Sequence, residues 1–472
     1  MMSALLLSDS QPNSLQLTDS EYPERVGIVY YVDFTLGNDA NLGITEALPW
    51  KTITKINAET FYEGDSILFK RGETWAGICL IVPHDGLSFG AYGVGAKPIL
   101  DGQDAVNCIF MNGKRDIYIE YIEMTQGLDS CIQVYTSDRV DVYECDCHDA
   151  GNDNIVFISD CNDCTVTGGS SYNPYQRMPT TLVSCIEIAD GGSGFVIDGV
   201  TCYGSTAVGI TVHNHVGTEI PTNVVIKNST FRNNTTNGIN VMAQDTTTDP
   251  VITIDNCLCY ENAVGIRVYK SLASVYYPSG VLIKNSKFYT NTTYGFYFEA
   301  NGLTMHHCLT WGIAQQNRIY NAKNINLYNN TIWHAPAGVT FALYCLGDVC
   351  ENITLKNNIF HADTTNGYII GFAADTVTGA DVDYNLYYFG NVFSARWMWD
   401  AVGYTYANWK TNSGMDANSP VSNIVDPAFT NEAIMDLTLQ AGSPAIDIGV
   451  VIPGITDGYL GTAPDCGMYE RE

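Results

Sequence analysis

The chain of 472 residues has 22 Lys and Arg residues against 51 Asp and Glu residues, which gives a formal net charge of −29. This shortage of cations argues against nucleic-acid binding, because that function depends on clustered Lys and Arg. With 46% hydrophobic residues the chain can bury a large core, so intrinsic disorder is excluded as well. No apolar run approaches the ~20 residues that span a bilayer, and we expect no membrane insertion.

Residues 1–27 are predicted to form a polar N-terminal arm. The first seven residues, MMSALLL, contain no basic segment, and their apolar stretch ends at Ser8. That stretch is too short for a secretory leader. We therefore expect either a leader that was removed earlier or another route out of the cell, such as transport inside a virus particle.

Residues 28–102 are predicted to form an N-terminal cap with the first coils of a repeat structure. This region contains three phrases that do not recur later in the chain: YYVDFTLGNDANLGITEALPWKTITKIN at 30–57, EGDSILFKRGETWAG at 63–77 and KPILDG at 97–102. An open solenoid needs covered ends, since exposed strand edges pair with other chains.

Residues 103–390 contain a repeat built around an Asn. Two apolar positions separated by one residue precede the Asn, and an aromatic residue or Cys follows three positions later, as in VVIKNSTF at 224–231 and ITLKNNIF at 353–360. The anchors are Asn228, Asn256, Asn285, His307, Asn329 and Asn357, at steps of 28, 29, 22, 22 and 28 residues. Such a period is typical of one coil of a parallel β-solenoid, with Asn at corners that require left-handed backbone angles.

A second phrase follows each anchor and predicts a strand with one buried face. It reads Gly, apolar, any, apolar, as in GITVH at 209–213, GIRVY at 265–269 and GFYFE at 295–299. The pairs Cys145/Cys147, Cys161/Cys164 and Cys257/Cys259 lack the matched spacing of a zinc site. Cys interchanges with Phe and Ile in the repeat, so we interpret these thiols as core residues and predict no metal site.

Residues 391–472 are predicted to form a C-terminal capping segment, with DPAFTNEAIMDLTLQAGSPAIDIG at 426–449 and PDCGMYE at 464–470. These phrases and those of residues 28–102 resemble the entrance and the closing segment of the pectate-lyase-like superfamily. The resemblance extends over about residues 28–470 and implies an all-β fold, a single right-handed parallel β-helix with N- and C-terminal caps. It also implies an extended polysaccharide as the partner.

The outward positions of the Gly-containing strands are where such a protein would hold a glycan. The first outward position carries Gln133, Glu187, Thr211, Asn240, Arg267, Tyr297 and Thr340; the second carries Tyr135, Ala189, His213, Met242, Tyr269, Glu299 and Ala342; Asp190, His215, Gln244 and Lys270 follow the strands. From Glu187 to Glu299 the strip is polar and ionisable over about four coils, on the order of 15 to 20 Å. We expect Asn240, Gln244, Tyr269, Tyr297, Glu299 and His215 to bind substrate.

Two reactions fit this strip. Glycoside hydrolysis needs two carboxyl groups across the bond, and Glu187 with Asp190 is the nearest such pair in the sequence. β-Elimination from a uronic acid needs a cation and a base, for which Arg267, Lys270, His213 and Tyr269 are candidates. As structural alternatives, Arg267 and Glu299 form a surface ion pair, His213 and His215 are surface imidazoles, and His306 and His307 form a corner.

The sequence therefore predicts a polysaccharide-recognising β-helix protein, and we favour an enzyme, a hydrolase or a lyase. The alternative is a tailspike-like receptor-binding or structural virion protein without catalysis. We expect a monomer for a secreted enzyme and a homotrimer for a tailspike, located outside the cell or on a virion surface. No cofactor is required, although the acidic stretch Glu144–Asp153 offers oxygen ligands for Ca²⁺ as an alternative to a turn with solvated aspartates.

Overall fold

The structure is a computed structural model that describes residues 26–175, 177, 183–215, 217–243, 251–271, 274–334, 341–362, 367–389, 396–420 and 425–471. The chain winds as a parallel β-solenoid whose coils contribute strands to three sheets. The predicted all-β parallel helix is thus confirmed. The predicted N-terminal arm, except for its last two residues, lies outside the described residues, as do Gln244 and Thr340.

Sheet 1 is formed by the Gly-containing strands. Its strands are Leu80–Ile81, Ile109–Asn112, Ile132–Tyr135, Ile155–Ile158, Ser184–Ala189, Val208–His213, Asn237–Ala243, Val264–Lys270, Tyr294–Phe298, the first parts of Asn317–Tyr328, Phe341–Lys356 and Tyr368–Thr378, then Arg396–Trp399 and the antiparallel Val402–Tyr404.

Sheet 2 precedes the Asn corner. Its strands are Val29–Val32, Ser66–Lys70, Ser88–Tyr92, Arg115–Glu120, Asp138–Tyr143, Thr165–Thr167, Val196–Asp198, Val224–Lys227, Ile252–Asp255, Val281–Lys284, Asn301–His306, the second parts of the three long strands, and Asp381–Asp383.

Sheet 3 follows the corner. Its strands are Thr74–Ala76, Ile99–Asp101, Glu123–Thr125, Asp146–His148, Ser170–Tyr172, Thr201–Tyr203, Thr230–Arg232, Leu258–Tyr260, Lys287–Tyr289, Leu309–Trp311, Thr331–His334, Ile359–Ala362 and Leu386–Phe389.

The Asn anchors form the corner between sheets 2 and 3. All six anchor residues, His307 included, have left-handed backbone angles, with φ between 50° and 58°. The amide of Asn256 donates to Asn228 on the preceding coil at 2.8 Å. The sequence therefore predicted the left-handed backbone conformation of this corner.

The core is filled by inward side chains of all three sheets. Cys147, Cys202 and Cys259 are fully buried at the predicted core position, and all fifteen cysteines are free thiols. Gly238 begins a sheet 1 strand where a Cβ would lie 2.7 Å from the carbonyl oxygen of Gly265, which explains the repeated glycine. A ladder of buried amides, Asn234, Asn262 and Asn291, crosses the interior and was not predicted.

The ends of the solenoid are covered differently. At the first coils the helix Ile53–Ala58 buries Ile53 and Ile56. At the last coils the helix Tyr406–Ser413 places Trp409 against Phe372. A 3₁₀ turn Glu432–Ile434 joins the antiparallel strands Phe429–Asn431 and Asp436–Leu439. In the part of the chain that the structure describes, no helix is long and apolar enough to cross a membrane.

The segment 425–471 lies along the side of the solenoid. Its Asp465 and Val450 carbonyl oxygens accept hydrogen bonds from the amides of Asn329 and Asn357, at 2.9 and 2.8 Å. Its apolar residues form a second core with outward side chains of sheet 3. This segment therefore covers a sheet 3 face, which leaves sheet 1 as the face that carries the candidate site.

Candidate functional site

The outer face of sheet 1 presents a continuous row of side chains, which we call the central row. The register between strands aligns Gln133, Val156, Glu187, Thr211, Asn240, Arg267, Tyr297 and Arg318. A second row contains Ala189, His213, Met242 and Tyr269. The repeat predicted this alignment, and neighbouring members of a row are one strand spacing apart, about 4.8 Å.

Glu187 and His213 form a pair on adjacent coils. The His213 Nε2 atom lies 2.6 Å from the Glu187 Oε1 atom, and the two side chains are 6% and 14% exposed. The other ring nitrogen, Nδ1, is buried and has no hydrogen-bond partner among the described residues. A single hydrogen bond from a buried imidazole thus fixes the orientation of a carboxyl group that is still accessible to solvent.

Asp190 is held in a separate cluster at the end of the same strand. Its carboxylate accepts hydrogen bonds from the backbone N–H of His215 at 2.7 Å and from the Thr218 hydroxyl at 2.7 Å, and it contacts the His215 ring at 2.9 Å. Burial opposes ionisation, but these hydrogen bonds outweigh it and lower the pKa of Asp190. The pair Glu187 and Asp190 therefore consists of two carboxylates that each have their own histidine partner.

Two further carboxyl groups, Asp129 and Asp153, interact electrostatically with Glu187, and neither occupies an outward strand position of the repeat. Asp129 is partly exposed and accepts a hydrogen bond from Gln133 Nε2 at 3.0 Å. Burial raises the pKa of Asp129, and the negative charge of Glu187 raises it further.

Asp153 is fully buried and belongs to the coil between those of Asp129 and Glu187. Its Oδ1 atom accepts the backbone N–H of Ser184, while Oδ2 has no partner among the described residues. Burial first, and then the charge of Glu187, raise the pKa of Asp153 well above its ordinary value. Asp153 ends the acidic stretch Glu144–Asp153, where a solvated turn was the expected alternative, and that expectation is wrong for this residue.

The centre of the face is closed to solvent, contrary to the predicted open strip. Thr211, His213 and Asn240 are at most 4% exposed. The His215 ring packs edge-on against His213, with the ring centroids 5.0 Å apart. Asn240 is nonetheless only half satisfied, because its Oδ1 accepts from Asn237 at 2.9 Å while its Nδ2 has no partner among the described residues.

Beyond this centre the face becomes cationic and aromatic. The Arg267 guanidinium lies over the rings of Tyr269 and Tyr297, at 3.9 and 5.1 Å from their centroids. The Lys270 Nζ atom donates to the carbonyl oxygen of Ser274 at 2.9 Å.

One expectation for this end of the face changes. Among the described residues no ion pair joins Arg267 to Glu299, so that structural alternative is wrong. Burial raises the pKa of Tyr297 to about 12, which keeps this phenol neutral.

Metal ligands do not converge in the described part of the chain. No group of three or more His, Cys, Asp or Glu side chains there is arranged to hold a metal ion. In the acidic stretch, Asp146 pairs with Lys97 and Asp149 contacts His148. A role for Ca²⁺ stays a prediction.

Comparison with known proteins places the fold in a family. The profile of the right-handed β-helix region matches residues 107–276 and 252–394, more than half of the chain. The protein therefore belongs to the right-handed β-helix family, and the resemblance to such proteins inferred from the sequence is confirmed.

Individual relatives are distant or short. A lacto-N-biosidase of Bifidobacterium longum subsp. longum is 46% identical over 48 residues. This match covers 10% of the present chain and 3% of the length of that curated relative. Among solved structures, pectate lyase Pel9A is 16% identical with a TM-score of 0.49, covering 95% of this chain and 97% of the other. A lacto-N-biosidase from Eubacterium ramulus is 12% identical with a TM-score of 0.46, covering 75% and 67%.

Proposed function

We propose that the protein is a glycoside hydrolase that cleaves a polysaccharide on the outer face of sheet 1. Asp129 is the general acid, and Glu187 is the carboxylate that activates water or attacks the sugar. The observation that carries the proposal is that these two partly exposed carboxyl groups share one face and have different partners. Two carboxyl groups with separate roles are what glycoside hydrolysis requires.

Asp129 suits the acid role because it tends to hold a proton. Burial and the nearby Glu187 charge both favour its neutral form, which raises its pKa. Gln133 donates to Asp129 at 3.0 Å and is itself bound by Asn107 at 2.7 Å, so the carboxyl group has a fixed position. A positioned acid with a raised pKa is suited to protonate the leaving-group oxygen.

Glu187 suits the second role because its contacts favour a fixed carboxylate. The 2.6 Å hydrogen bond to His213 orients it, and its outward side stays accessible. Asp153 keeps its proton because it is fully buried near both other carboxyl groups. Three ionised carboxylates in this space would repel each other, and a neutral Asp153 removes part of that repulsion.

Elimination is less well supported. His213 is 4% exposed, and its Nε2 atom is occupied by Glu187. Lys270 donates to Ser274, and the Arg267 guanidinium lies over the ring of Tyr269. Two of the four candidate residues for elimination, His213 and Lys270, are thus hydrogen-bonded to other protein groups, which favours hydrolysis over elimination.

The substrate class is a glycan, in agreement with the name of the short-match relative, lacto-N-biosidase. Location outside the cell or on a virion, and the tailspike alternative with its homotrimer, remain predictions. A detergent-resistant trimer that binds glycan and releases no product would favour the tailspike, whereas a monomer with activity would favour the enzyme.

The test is incubation of the purified protein with a panel of neutral and uronic-acid polysaccharides, with detection of new reducing ends and of the ultraviolet absorbance of unsaturated products. We expect reducing ends without the absorbance, and their loss in Glu187→Gln. New absorbance would instead mean a lyase. No product from any polysaccharide, with binding retained, would overturn the proposal.

A further inference from the structure

We propose that Arg267 and Arg318 form a subsite that binds an anionic substituent of the glycan, a carboxylate or a sulfate ester. The inference rests on the proposed function, because it concerns the substrate class of the same face. Arg318 was not among the candidate residues from the sequence.

The two arginines occupy the same row of the face. The register pairs Arg267 with Tyr297 and Tyr297 with Arg318, so the backbones of the two arginines lie on either side of one tyrosine. Two strand spacings separate their backbones, roughly 10 Å. An anionic group that lies over Tyr297 would therefore be within reach of both long side chains.

Neither guanidinium forms an ion pair with a carboxylate of the described residues. Ten Lys and Arg side chains in the described part of this acidic chain form ion pairs, as Arg139 does with Asp116 and Lys284 with Asp255. By contrast, neither Arg267 nor Arg318 forms an ion pair with the described residues, and the Arg318 Nε atom is buried without a hydrogen-bond partner. In a chain of net charge −29, two arginines on one face without an ion pair among the described residues could both bind an external anion, which would accept their hydrogen bonds.

Tyrosine rings fix both guanidinium groups. Arg267 lies 3.9 Å from the Tyr269 centroid, and Arg318 lies 4.7 Å from the Tyr294 centroid. Stacking on an aromatic face leaves the N–H donors at the edge of the guanidinium plane available, and a carboxylate or sulfate accepts two of them at once. The protein thus restrains these long side chains before the ligand arrives, which reduces the entropic cost of binding.

The surrounding charges leave the patch positive. Lys270 and Glu299 also lie here, and both Lys270 and Arg267 act on the Glu299 carboxyl group electrostatically. Three cations against one half-buried acid leave an excess of positive charge even when Glu299 is ionised. The subsite therefore attracts anions locally although the whole molecule repels them at long range.

The position of the subsite makes it a determinant of specificity. Arg267 is three coils from Glu187 in the central row, about 15 Å along the solenoid. At that distance the arginines touch a sugar several units away from the bond that is cleaved. They are positioned to select substrate, and catalysis at Glu187 does not need them.

The test is binding to a glycan array on which the same backbones are printed in neutral, carboxylated and sulfated forms. Wild-type protein is compared with the double variant Arg267→Gln/Arg318→Gln and with the control Arg232→Gln. Arg232 also lies over a tyrosine, at 4.3 Å from Tyr203, but on sheet 3. Thermal unfolding of each variant verifies that it is folded.

We expect wild-type protein and the control to bind an anionic form at least about tenfold more tightly than its neutral counterpart, and the double variant to lose that preference. The carboxylated and sulfated arms distinguish the two sources of charge. A wild-type protein without preference for anions, or a preference that survives in the double variant, would overturn the subsite. Because the array measures binding, a protein that prefers anionic glycans and cleaves none would retain the subsite and lose only the proposed hydrolase activity.

Discussion

Asn262 is the central member of the buried amide ladder, and replacing it tests how the coils are held together. Its Oδ1 atom accepts the backbone N–H and the side-chain Nδ2 of Asn234, both at 3.0 Å. Its own Nδ2 donates to the Phe231 carbonyl oxygen at 3.0 Å. The Asn262 side chain thus satisfies three buried polar groups on the preceding coil.

The substitution Asn262→Ala leaves those three groups without partners. Each buried unpaired group costs about 1 to 3 kcal/mol, so we expect the free energy of unfolding to fall by about 3 to 9 kcal/mol. Asn256→Gly is the matched control on the same coil. It removes one exposed hydrogen bond to Asn228, and glycine accepts its φ of 51°, so the loss should stay below about 1 kcal/mol.

Urea unfolding followed by circular dichroism measures both changes. The midpoint should shift strongly for Asn262→Ala and little for Asn256→Gly, with similar dependence on urea concentration. Equal shifts for the two variants, or a loss below about 1 kcal/mol for Asn262→Ala, would refute the view that the interior ladder stabilises the stack more than the corner ladder does.

Three further predictions concern other parts of the molecule. Burial raises the pKa of Asp416 to about 6 from its ordinary value of 3.8, so the folded state binds this proton more tightly than the unfolded state does. As the pH rises from about 4 to about 6, the free energy of unfolding should therefore fall by on the order of 3 kcal/mol. Urea midpoints measured across this range should show the fall in the wild-type protein and not in Asp416→Asn. A thiol reagent should modify at most Cys79 in the native protein and all fifteen cysteines after denaturation, since the other fourteen are buried; rapid reaction of several native thiols would contradict this core. The aligned Gln133 and Glu187 lie two coils apart, which favours the wider separation of carboxyl groups found in inverting enzymes. The Asp129 and Glu187 pair should therefore invert the anomeric configuration, which NMR of the first product can detect. Retention would instead favour Asp153, which is one coil nearer to Glu187, as the acid.

The fold could be predicted because its signals are periodic. Strand alternation, the Asn corner and the interchange of Cys with Phe all recur once per coil, and the structure places each where the repeat indicates. The path of residues 425–471 has no such signal. It depends on single contacts such as that of Asp465 with Asn329, which are 136 residues apart in the sequence.

The candidate site could be predicted only in part, because only some of its residues occupy periodic positions. Glu187 and His213 occupy regular outward positions, and the alignment of strands brings them together. Asp129 and Asp153 precede their strands, so the alternation of outward positions does not indicate them. The burial of Asn240 and His213 depends on packing around the strand ends, which the two-residue alternation does not report.

The central claim is that Asp129 acts as the acid and Glu187 as its partner. The most direct test compares the rates of Asp129→Asn, Glu187→Gln and Asp190→Asn on the natural glycan and on an aryl glycoside whose leaving group needs no protonation. We expect Asp129→Asn to lose about 100- to 10,000-fold on the glycan and to recover most of its rate on the aryl glycoside, Glu187→Gln to lose activity on both, and Asp190→Asn to stay near wild type. Full activity of Asp129→Asn on the glycan, with loss in Asp190→Asn, would contradict the account and restore Glu187 and Asp190 as the catalytic pair.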